Sequence, residues 1–122
     1  MEHCEFLTEV LKTNQSIRFA GLYDADFKII VDGSQPGILP YLSREEMQNS
    51  VRYDIRRWET YKMFHTQLGE SKYAMVKYEK ATLLTFSLDE GECLRISIEP
   101  DADYKKIIDQ IQDLIDKNPK LK

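Results

Sequence analysis

At 122 residues the chain has the length of one domain, and we read 1–122 as a single unit. Its net charge of −4, with 31% charged and 42% hydrophobic residues, fits a soluble globular protein. The mild acidity argues against nucleic acid as the main partner, because phosphate binding needs a clustered basic face.

In chain order, 2–14 carries Phe6, Leu7, Val10 and Leu11 at helical spacing, with Asn14 as a stop. Segment 16–24 reads as a strand in which Ile17, Phe19 and Gly21 alternate with Arg18, Ala20 and Leu22. Asp24-Ala25-Asp26 makes a turn, and 28–32 returns around Ile29, Ile30 and Val31 as the second strand of a hairpin. The loop that follows is dense in turn formers, from Asp32 to Gly37.

Segment 43–68 predicts one long helix. Ser43 and Glu46 form a capping box, Leu42 and Met47 occupy the staple positions, and Gly69 stands ready to end it. At roughly 100° per residue, Met47, Val51, Ile55, Trp58 and His65 fall on one stripe. Tyr53, Tyr61, Phe64 and Leu68 fall on a second, and Arg57 lies on the same arc. Together these cover roughly 200° of the helix, about twice what an ordinary surface helix needs. One stripe, with Trp58, can cover a sheet; the other calls for a second partner. Tyr, Trp and Arg are the residues that interfaces favour. Asp54 and Lys62 also project into the apolar arc.

Three strands follow at 71–78, 81–88 and 92–98, joined by Glu79-Lys80 and by Asp89-Glu90-Gly91, both short enough for antiparallel hairpins. Leu84, Phe86 and Leu88 share a face, as do Leu94, Ile96 and Ile98. A last helix carries Ile107, Ile108, Ile111, Leu114 and Ile115, with Asp101 as its cap and Asn118-Pro119 as its end; Lys117, Lys120 and Lys122 complement that C-terminus. The order α-β-β-α-β-β-β-α predicts an α+β fold, a single five-stranded antiparallel sheet covered by helices.

Chemistry is sparse. Cys4 and Cys93 have no metal-ligand spacing, and His3 beside Cys4 reads as a frayed terminus. His65 reads as a packed histidine. The aspartates at 24 and 26, and at 101 and 103, read as turn and helix-start residues, since the calcium-loop pattern does not follow them. Gly33 and Gly37 lack the Gly-Lys-Ser/Thr of a phosphate loop, and no nucleophile elbow is present. The expectation is therefore a protein without enzymatic activity, catalytic residues, metal or cofactor. Without a signal peptide or a membrane-length apolar run, the expected location is cytoplasmic.

The order of elements, the hairpin over 17–32, the capped helix and the three-strand run from Ser71 together resemble the roadblock (dynein light chain) family, close to the longin and profilin-like folds. The turn Asp24-Ala25-Asp26-Phe27 departs from that family, which usually has Gly there, so the resemblance is to a divergent branch; in style the chain is similar to small archaeal proteins of this type. The resemblance implies a non-catalytic homodimer, paired through 43–68 and 71–78 so that one sheet runs across two chains. It thereby adds Tyr73 to Tyr53, Arg57, Tyr61, Phe64 and Leu68 as the expected interface. It also implies regulation of small GTPases or tethering of signalling complexes. The alternative is a small-molecule sensor of PAS, GAF or profilin-like type, which requires a concave, partly apolar cavity between sheet and helices.

Overall fold

Alternating apolar residues build five antiparallel strands in the computed structural model, which describes residues 2–118. These are β1 (Ile17–Tyr23), β2 (Ile29–Ser34), β3 (Tyr73–Lys77), β4 (Thr82–Ser87) and β5 (Cys93–Ile98), in spatial order β2-β1-β5-β4-β3. The fold is α+β, with the expected sequence of elements.

Helices α1 (His3–Thr13) and, at the chain's end, the last helix (Tyr104–Asp116) lie together on one sheet face. Phe6, Leu7 and Val10 meet Ile107, Ile108 and Ile111 there, over Ala20, Leu22, Leu84, Phe86, Leu94, Ile96 and Ile98. The long helix α2 (Arg44–Lys62) covers the other face through Val51, Ile55 and Trp58, which close over Tyr23 and Cys93.

The first strand does not keep the strict alternation expected of it. Its register with β5 shifts between Ile17 and Phe19, so Ile17, Ala20 and Leu22 all enter the α1 core. A bulge inserts one extra residue and flips the remaining side chains to the other face. Here it leaves Arg18 buried at the edge of the α2 side, where its Nη1 donates to Glu99 Oε1 at 3.0 Å.

The helix expected over 43–68 is interrupted. Met63 N–H donates to the carbonyls of Thr60 and Tyr61, a tightened last turn, and a short helix α3 (His65–Leu68) follows. No glycine or proline marks the break. Trp58 is the last buried residue of α2, so the break falls where the helix has left the core. Gly69, at φ 84°, ends α3. His65 is half-buried and holds the exit: its Nε2 accepts from Ser71 N–H at 3.2 Å and lies 2.9 Å from Ser71 Oγ.

Several boundaries also move. The last helix, α4, is capped by Asp103 rather than Asp101, its carboxylate accepting from Lys106 N–H. Residues 100–102 form a turn instead, closed by Ala102 N–H on Glu99 O. Asp89–Gly91 is a 3₁₀ turn with Glu90 and Gly91 at positive φ. The start of α1 is anchored, not frayed, since His3 Nε2 lies 3.3 Å from Glu92 Oε1. Pro119, Lys120 and Lys122 lie outside the described residues; Lys117 pairs with Asp113 at 2.9 Å.

Candidate interaction surface

Helix α2 is fixed at its start before its exposed face can matter. The Ser43 hydroxyl accepts from Glu46 N–H, and the Glu46 carboxylate accepts from Ser43 N–H at 2.9 Å. The Ser43 backbone N–H, with the hydroxyl beside it, holds the Glu46 carboxyl below its usual range. Gln48 Nε2 donates to Phe27 O at 2.6 Å, and the Arg52 guanidinium lies over the Phe27 ring. Phe27 stands at φ 69°, the left-handed conformation that a glycine would take without strain. In exchange its ring is partly buried against the α2 core.

Beneath α2 the sheet carries charge as well as apolar surface. Arg95, 1% exposed in the middle of β5, donates through Nη1 to Asp54 Oδ2 at 2.7 Å and also to Ser50 Oγ. Arg57 donates to the other Asp54 oxygen. Burial pushes the Asp54 carboxyl up, and the guanidinium groups of Arg95 and Arg57 pull it back. Burial likewise raises the Cys93 thiol to about 12 and pushes the Tyr23 phenol well above its usual range. Neither the Tyr23 hydroxyl nor Arg95 Nη2 has a hydrogen-bond partner among the described residues. Trp58 Nε1 donates to Thr85 Oγ1 at 3.2 Å, so Trp58 is core.

The second stripe of α2 points away from this core. Tyr53 is 65% exposed, Arg57 is half-buried, and Tyr61 is partly exposed with its ring edge-on to Trp58 at 5.5 Å. Phe64 and Leu68 are exposed too, beyond the break in the helix. Tyr53 and Arg57 share a small cleft of 190 Å³ with Ala74, Val76 and Tyr78 of the β3 segment, placing the helix stripe beside the sheet edge.

Tyr73 is half-exposed but belongs to the other face. It pairs with Phe86, and the two rings lie 6.3 Å apart on the α4 side. The residues of this segment on the α2 side are Ala74, Val76 and the 57% exposed Tyr78. Sequence reading missed Tyr78 and the exposed Met63. Period-two counting from Ala74 could have found Tyr78 once the face of Phe86 was known. Among the described residues strand β3 pairs only with β4, which leaves its outer edge open.

A larger cavity of 690 Å³ opens between the N-terminal part of α2, segment 38–42 and the sheet. The concave space required of a sensor is therefore present. Among the described residues no cluster of His, Cys, Asp and Glu could hold a metal, and no helix is long and apolar enough to cross a membrane.

Comparison with known proteins places this architecture. No protein-family model and no curated protein matches the chain. Solved structures do. A Roadblock/LC7 domain from Streptomyces avermitilis superposes with a TM-score of 0.72 at 11% identity, covering 97% of this chain and 95% of that one. An MglB described with a tetrameric arrangement gives 0.72 at 14% identity, over 95% of this chain and 84% of that one. A profilin, LokiProfilin2 in complex with rabbit actin, gives 0.62 at 13% identity, over 97% and 96% of the two chains. The fold is thus roadblock-like, with profilin-like relatives in shape.

Proposed function

We propose that the chain is a non-catalytic module that pairs with a second copy of itself and presents the pair to another protein, a small GTPase being the partner that the roadblock-like fold favours. The observation that carries this is the exposed Tyr53–Arg57–Tyr61 stripe beside the unpaired β3 edge. Aromatic and arginine side chains are the usual anchors of interfaces. An open strand edge adds a row of main-chain hydrogen bonds to a second sheet. The tetrameric arrangement of the MglB that shares the fold supports self-association as a property this architecture allows.

Tyr53→Glu and Tyr61→Glu should give folded monomers by light scattering, with circular dichroism unchanged. Tyr104→Glu, at an exposed position on α4, should leave the pair intact. Self-association that survives both α2 changes, or falls equally with Tyr104→Glu, would refute the proposed surface.

A further inference from the structure

The 690 Å³ cavity beside α2 lies within the size range of small-molecule sites, roughly 300–1,000 Å³. Its floor is the sheet: Phe19, Leu83 and Ser97 are paired neighbours on one face of β1, β4 and β5. Leu42 and Met47 wall it from the start of α2, and Leu39 and Tyr41 stand at its mouth. Those last two are 80% and 57% exposed, apolar surface that a bound molecule would cover. Segment 38–42 is held in place from below, with Arg18 Nη2 donating to Leu39 O at 3.1 Å and its guanidinium 4.3 Å from the Tyr41 ring.

The lining is basic in a chain that is acidic. Arg18, Lys80 and Arg95 line the cavity with Glu79 as the single acid, whereas the whole chain carries −4. The acids that pair with the arginines, Glu99 and Asp54, do not line it. Arg95, which lines the cavity, has its Nη2 buried and without a hydrogen-bond partner among the described residues. Leaving such a group unsatisfied is costly, so an oxyanion that reaches it has something to gain.

We propose that this cavity binds a small organic anion, an apolar body lying on Phe19, Leu83 and Met47 with a carboxylate directed to Arg95 and Arg18. The site adjoins the Tyr53–Arg57 surface without depending on it, so failure here leaves the association proposal standing.

The test is calorimetric titration of the intact chain with decanoate below its micelle concentration, and with 1-decanol as the neutral counterpart. Decanoate should bind once per chain and about tenfold or more tighter than decanol. Ser97→Phe, which fills the floor, should abolish binding. Lys80→Glu, an exposed rim change, should weaken decanoate by about threefold and leave decanol unchanged; it keeps the test decisive if Ser97→Phe does not fold. Absence of binding, equal affinity for acid and alcohol, or indifference to both variants would overturn the proposal. Failure of decanoate to bind while Lys80→Glu alters self-association would overturn it too, assigning the cavity to a second copy.

Discussion

On the α1/α4 face of the sheet, side chains from two helices and four strands close a core in which Phe6, Ile17, Leu84, Phe86 and Ile96 are all fully buried. On the α2 face one helix does the covering, and its core is short: Val51, Ile55 and Trp58 over Tyr23 and Cys93. The rest of that face holds a buried ion cluster, a cavity and an exposed aromatic stripe. A sheet five strands wide needs two helices to cover a face. The side given one helix is left with surface to offer, and that is where every candidate function of the molecule collects.

Truncation is the strongest way to test this difference. Phe86→Ala should cost about 3–5 kcal/mol by urea denaturation, and Ile55→Ala nearer about 2, because a face already containing space relaxes around a deletion. Equal losses would mean that α2 is packed as tightly as the opposite layer.

Next comes the ion cluster. Asp54→Ala should cost about 3 kcal/mol, since it strands Arg95 without its counter-ion. Replacing both partners, Asp54→Leu with Arg95→Met, should cost less than the single change, because it removes the desolvation penalty as well as the attraction. A double variant weaker than the single one would show the pair to be a net source of stability.

The smallest effect is alkaline. Burial raises the Cys93 thiol to about 12 and the Tyr23 phenol with it, so the unfolded chain releases these protons at lower pH than the folded one. Their stabilisation is complete below the unfolded thiol value and is lost as pH rises towards the folded ones. Between pH 8 and 10 the thiol alone should account for about 1–2 kcal/mol of falling stability. Tyr23→Phe with Cys93→Ala should flatten that slope, and a slope unchanged in the double variant would contradict the burial of these groups.

Most of the architecture could be read from the sequence, for definite reasons. Period-two alternation in β4 and β5 and the capping box at Ser43 are local signals, and local signals survive without knowledge of the fold. Those that failed depend on what lies across space. The bulge at Arg18 follows from pairing with β5, and the break after Lys62 comes past Trp58, the last residue of α2 in the core. A strand's two faces are indistinguishable until one neighbour is placed, so only the pairing with Phe86 shows that Tyr73 stands on the face opposite α2. Asp54 and Arg95 did leave a trace. A carboxylate in the apolar arc of a helix and an arginine amid the core residues of a strand are the two halves of one buried pair, but their meeting is a tertiary fact.

Sedimentation equilibrium of the unaltered chain, from low micromolar to high micromolar concentration, tests the account most directly. If the α2 stripe and the β3 edge are an association surface, the mass should fit a dimer across the upper part of that range and dissociate reversibly below it. A monomer at every concentration would contradict pairing of the chain with itself.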